Sequence, residues 1–184
     1  MSCCPPNSLP ANPTASDATP IKAGNTDDFF YDNATTSTLV LVFPDIYDPD
    51  SGRTKDNCVQ LSAFFKVALV DVAPEYIDRA MIDFVEWFAA RPFELLVAKI
   101  HNIVAHFQAN HGVTTFGAVG YWSVEKTLSA RGIFHKLREF PLVSHGWVNR
   151  GDVIDTGTSE AVDAAWHDEA MPFLQHHLAT KDIP

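Results

Sequence analysis

The chain has 184 residues, a length that fits one domain able to bury its own core. Its 46% hydrophobic and 20% charged residues are an ordinary globular balance, and a formal net charge of -10 without any basic block argues against nucleic acid and anionic membrane as partners. Cys3, Cys4 and Cys58 form no CxxC pair, which argues against a zinc ribbon or a thioredoxin-type site and suits reduced thiols in the cytosol.

The first twenty residues, rich in Pro, Ser, Asn and Thr, read as an irregular lead-in to a single domain over 21–184. They have neither the basic nor the apolar region of a secretory signal. No apolar run approaches the ~18–20 residues that cross a bilayer, so a cytoplasmic protein is expected. Residues 21–37 carry two turn signals around Phe29-Phe30-Tyr31, the pattern of a ragged edge hairpin. Thr38–Phe43 is a continuous apolar run, as in strands buried on both faces. A helix follows over Gly52–Phe65, with Cys58, Leu61 and Phe65 on one side, and then a second buried strand over Val67–Val70.

Ile77, Met81, Phe84 and Phe88 line one side of an expected helix over 75–90, which Arg91-Pro92 breaks. The next helix runs to about Asn110, with Leu96, Ile100, Ile103 and Phe107 on one face. Thr114–Gly120 is a third strand, 124–131 a short helix, and Phe140–Val143 a short fourth strand. Thr158–Leu178 is the last helix, with Val162, Trp166, Ala170 and Phe173 aligned, and Pro172 inside it implies a kink or an early stop. Strands alternating with helices imply an α/β fold with a mostly parallel sheet flanked by helices.

Ligands of such sheets bind beyond the carboxyl ends of the strands. Four places qualify: Pro44–Tyr47, Asp71–Ala73, Gly120–Ser123 and Ser144–Trp147. A nucleophile elbow needs Ser, Cys or Asp with small residues two before and two after it. Centred on Trp122, Gly120 fits but Val124 does not, and indole cannot attack a carbonyl. Centred on Ser123, a hydroxyl is present but Tyr121 and Glu125 fill the small positions. His145 is the best general-base candidate, against the plainer reading of a solvated loop histidine. His101, His106 and His111 recur every five residues, which spreads them around a helix, and His176 and His177 point apart. No metal site and no cofactor are expected.

Five segments, MSCCPP with SLPA, VFPDIYDPDSGRTKDNCVQLS, VTTFGAVGY, FPLVSHGWVNRGD and AVDAAWHDEAMPFLQHHL, together resemble the dienelactone hydrolases of the α/β-hydrolase superfamily. MSCCPP with SLPA is similar to the start of many eukaryotic members, and VFPDIYDPDSGRTKDNCVQLS to their third strand and the helix after it. VTTFGAVGY resembles the strand leading to their elbow, which normally continues Cys-Trp-Gly-Gly-Lys. FPLVSHGWVNRGD resembles their histidine loop, and AVDAAWHDEAMPFLQHHL their last helix. The resemblance implies a hydrolase of lactones or carboxylic esters that uses a Cys-His-Asp triad and a two-amide oxyanion hole. Carried over by position, His145 matches the base, Trp122 the cysteine, Ile46 the first oxyanion amide and Ser123 the second.

The departures fall together. Trp122 stands for the nucleophile, Val124-Glu125 for the glycine pair, and Pro74-Glu75 where the family tends to have Arg-Gly. Only Ser123–Ser144 separates elbow from histidine, where the family has two more strands and the loop bearing the acid. No Asp lies in that interval, and Glu139 precedes the strand expected before His145. That strand must then dock beside Thr114–Gly120. Three readings follow: a shortened, catalytically impaired hydrolase; a weak esterase using Ser123 and His145; or a non-catalytic binding module. A small ester or lactone is the ligand the resemblance implies, and oligomeric state is open.

Overall fold

The structure, a computed structural model, describes residues 20–45, 49–71, 93–120, 135–143 and 146–178. Nearly all of the lead-in and the helices expected over 75–90 and 124–131 lie outside these residues.

The expected hairpin forms from β1 (Pro20–Ala23) and β2 (Thr26–Tyr31). Ala23 pairs with Thr26, leaving a two-residue turn whose Gly24 has φ +66°, a conformation cheap only for glycine. Strand β3 (Thr38–Val42) follows, then α1 (Thr54–Ser62) and β4 (Lys66–Leu69). Helix α2 (Phe93–His111) leads to β5 (Thr115–Val119). The described strands form one sheet in the order β1-β2-β4-β3-β5.

The sheet is mixed rather than mostly parallel. β3 pairs in parallel with β4 and with β5, whereas β1 with β2 and β2 with β4 are antiparallel. A two-residue turn can join only antiparallel strands, so the hairpin fixes the direction of one edge. The fold is α/β in class, with helices packed on both faces.

Strand alternation sorts the core into two layers. Val40, Val42, Val67 and Leu69 face Cys58 and Leu61 of α1, together with Trp166 and Leu174 from the C-terminal helix. Leu39, Leu41, Ala68 and Val70 face Ile103 and Phe107 of α2. Every residue of β3 and β4 is buried: the apolar runs Leu39–Val42 and Val67–Leu69 as expected, and also the leading Thr38 and Lys66, which have hydrogen-bond partners in Leu178 and in Asp32 and Asn33. On α2 the expected face holds: Ile103 and Phe107 are fully buried, with Ile100 packed beside them.

The expected fourth strand is not one. Phe140–Val143 is a turn, closed by the Val143 N–H donating to the Phe140 carbonyl at 3.3 Å. Pro141 sits second in that turn, where its fixed φ is favoured, and it lacks the N–H a strand ladder would need. Leu142, beside it, is almost wholly exposed. No described strand therefore pairs with the outer edge of β5.

After the four-residue helix α3 (Trp147–Arg150), the C-terminal helix starts at α4 (Thr156–Asp163), capped by the Asp155 carboxylate accepting the Thr158 N–H at 2.8 Å. It continues through a π-helical stretch, Ala164–Ala170, into α5 (Met171–Leu178). Pro172 neither stops the helix nor follows a plain α-turn. The Met171 N–H reaches back five residues to the Trp166 carbonyl, so the wide turn comes immediately before the residue that has no N–H to give. Among the described residues, no helix is long and apolar enough to cross a membrane.

One buried polar group stands out. Asp28 of β2 is fully buried, its Oδ1 accepts the Asp71 N–H at 3.0 Å, and its Oδ2 has no partner. Burial pushes its carboxyl up to about 6 from 3.8, against the lowering effect of the Asp71 hydrogen bond. The folded state holds the Asp28 proton where the unfolded chain has released it. This contribution to stability is present below the unfolded value and is lost as pH rises through about 6. Asp28→Asn should remove the dependence. Thermal melts from about pH 4 to about pH 7 should show the variant gaining on wild type as pH rises; a difference independent of pH would count against an ionising, buried Asp28.

Candidate functional site

Parallel pairing of β3 with β5 brings two of the expected loops out side by side. The Phe43 N–H donates to the Val119 carbonyl at 2.9 Å, extending that pairing past β3. A methyl on Gly120 would lie 3.8 Å from Phe43 Cβ, an ordinary contact, so nothing described forces a glycine there. The Val70 N–H likewise donates to the Val42 carbonyl at 3.0 Å, which brings Asp71 to the same end of the sheet. Ile46, Trp122, Ser123 and His145, the four expected site residues, all lie outside the described residues. Their flanks Asp45, Gly120 and Gly146 are described.

The loop after β3 is tied down from within. The Ser51 hydroxyl donates to Asp45 Oδ2 at 2.9 Å, and the Thr54 hydroxyl donates to the Ser51 carbonyl at 2.7 Å. Lys55, almost fully buried, is ion-paired with Asp50 and holds its ammonium 3.8 Å from the Phe29 ring centre. These contacts fix where α1 begins.

The same loop grips the turn that follows His145. Gly52 has φ +52°, and a side chain there would put its Cβ 2.1 Å from the Asn149 carbonyl oxygen. The Arg53 N–H donates to that oxygen at 2.9 Å. The Arg53 guanidinium donates through Nη1 to the carbonyls of Trp147 at 3.2 Å and Val148 at 2.8 Å, and through Nη2 to Gly151 at 2.5 Å. Asn57 Nδ2 donates to Asn149 Oδ1 at 3.4 Å. Asn149 and Arg150 are buried in consequence. Residues about 94 positions apart in the chain thus form one polar joint at the carboxyl end of the sheet.

On its other side the segment before His145 meets the C-terminal helix. Glu169, in the π-helical stretch, is ion-paired with Lys136 and lies 3.6 Å from Arg138 Nε. The Phe140 and Trp147 rings lie 4.8 Å apart, bridging the two flanks of His145.

The chemistry these residues can do is limited. Cys58, the described cysteine, is fully buried, and burial pushes its thiol well above the usual range despite nearby Lys55. A buried, protonated thiol is no substitute nucleophile. The nearby acids have structural partners: Asp45 accepts Ser51, Asp152 accepts the Ile154 N–H at 2.9 Å, and Asp155 caps α4. Glu139 is exposed.

The histidines are closer together than their spacing suggested. His106 and His111 rings lie 5.5 Å apart, both against Phe107, and His176 and His177 lie 4.7 Å apart. Even so, no group of three or more His, Cys, Asp or Glu among the described residues could hold a metal ion.

Sequence reasoning passed over Gly52, Arg53 and Asn57. Ser51-Gly52 is a local turn signal, but the partners of Arg53 are backbone carbonyls far along the chain, which no residue pattern advertises. Gly52→Ala should destabilise the fold by about 1–3 kcal/mol from its left-handed backbone alone, with displacement of Asn149 adding to that. Urea unfolding measures it; an unchanged midpoint would mean that the close approach of Gly52 to Asn149 is absent in solution.

Comparison with protein-family models, with curated proteins and with solved structures returns no match to this chain.

Proposed function

We propose that this chain is a shortened relative of the dienelactone hydrolases, built on part of an α/β-hydrolase sheet, that retains the place for a small ester or lactone but not its turnover. The observation that carries the reading is the meeting, at one end of the sheet, of three segments. They are the loop after β3, the end of β5 and the turn after His145. The segment that resembles the family's third strand, β3, lies beside β5, the strand that resembles the one leading to the elbow.

In that arrangement the Ile46 and Ser123 amides would hold the carbonyl oxygen of an ester, and His145 would handle the proton. The step between them is missing. Trp122 offers no nucleophilic atom, and Ser123 is flanked by Tyr121 and Glu125 where an elbow needs small side chains. No Asp lies between Ser123 and Ser144 to orient His145. Phe140–Val143, being a turn, adds no strand from which an acid-bearing loop could be hung. A hydroxyl without an oriented base stays protonated near neutral pH and attacks esters slowly.

Hydrolysis of p-nitrophenyl acetate by the purified protein tests this. The expected rate is no higher than that of an equal concentration of free imidazole groups, and equal in wild type, Ser123→Ala and His145→Ala. Saturable turnover abolished by both substitutions would replace the proposal with a working Ser123/His145 esterase.

A further inference from the structure

We propose that Arg53 is a positioning residue that, beside Gly52 and Asn57, fixes the turn following His145 against the loop following β3. The proposal deepens the functional reading above, because it concerns how the base position of that site is held.

The need for such a residue comes from the shortness of α3. A helix leaves its last four carbonyls without intrahelical partners, and α3 has only four residues. Within it the Arg150 N–H donates to the Gly146 carbonyl at 3.0 Å and the Gly151 N–H to the Trp147 carbonyl at 2.8 Å. The carbonyls of Val148, Asn149 and Gly151 need donors from elsewhere. Arg53 serves all three, and adds a second bond to Trp147, using its guanidinium and its own N–H. Carbonyls at a helix C-terminus carry partial negative charge, so a cation suits the place. The planar guanidinium presents several donors in a fixed fork, which lets one side chain reach carbonyls of three residues at once.

Position follows from this bonding. Gly146 is bonded to His145 in the chain and opens the same turn, with φ +78°. Among the described residues 135–143 none is in a strand, so no described sheet pairing sets its place. The ion pairs of Lys136 and Arg138 with Glu169 involve exposed or half-exposed groups, and such pairs hold weakly. Arg53 is joined to α1, whose Cys58 and Leu61 are fixed in the core. It carries the rigidity of the sheet across to the turn. Lysine cannot do the same, because a single ammonium has no fork.

Hydrogen exchange on the full chain, read residue by residue, tests the proposal with Arg53→Ala and Arg53→Lys. The expected result in both variants is exchange of the Arg150 and Gly151 amides about tenfold faster or more, with β3 amides unchanged. His145 should be carbethoxylated by diethyl pyrocarbonate at a changed rate, while exposed His101 keeps its own. Unchanged exchange at Arg150 and Gly151 would overturn the proposal. Uniform acceleration that includes β3 would also overturn it, since Arg53 would then act on global stability. Wild-type protection in Arg53→Lys would overturn it too, because charge alone would suffice. Ester hydrolysis enters neither readout, so this result stands apart from the test of turnover.

Discussion

Burial of β3 on every side is the constraint from which the rest of the structure follows. Its backbone is paired with β4 on one edge and β5 on the other, and all its residues are buried. A strand so placed carries apolar side chains except where a polar one is hydrogen-bonded, as Thr38 is to the Leu178 carbonyl, and both its faces need a cover. Val40 and Val42 take α1 and the C-terminal helix; Leu39 and Leu41 take α2. The two parallel pairings then send the chain out at the same end after β3, β4 and β5. Anything built from those loops must be built there.

The C-terminal third is held to this sheet without adding a strand to it among the described residues. Its helix packs through Trp166 and Leu174 into the same layer as α1, and Leu178 lies against Gly117 of β5. Its leading turn is fastened by the polar joint at Gly52 and Arg53. The two attachments differ in kind. Apolar packing stabilises in proportion to area but tolerates sliding, whereas a left-handed glycine against a carbonyl and a forked guanidinium specify one register. The π-helical turn before Pro172 lets one helix run from Thr156 to Leu178 despite an imino acid inside it.

Much of this was legible in the residues. The runs at Thr38–Phe43, Val67–Val70 and Thr114–Gly120 are strands within a residue or two of their expected bounds; for the first two, continuous burial leaves a continuous apolar signature. The face of α2 was legible for the related reason that its period is 3.6. Phe140–Val143 has the apolar composition of a strand, but Pro141 has no N–H for a ladder and suits the turn that forms. The mixed sheet followed from a hairpin that was itself expected. The joint was not legible at all: its acceptors are backbone carbonyls, which every residue has. Of the site, the residue types at Trp122, Ser123 and His145 spoke plainly about chemistry. The way the segments beside Ile46 and His145 are brought together is a matter of tertiary contacts.

A protein that holds an ester without turning it over has no residue that takes up an acyl group at that edge. Incubation with excess p-nitrophenyl acetate, followed by intact and peptide-resolved mass spectrometry, tests this directly. No acetyl adduct is expected on the folded protein at Ser123 beyond that found on the urea-unfolded chain. A stoichiometric adduct at Ser123 that requires the fold, and that His145→Ala abolishes, would contradict the proposed loss of turnover.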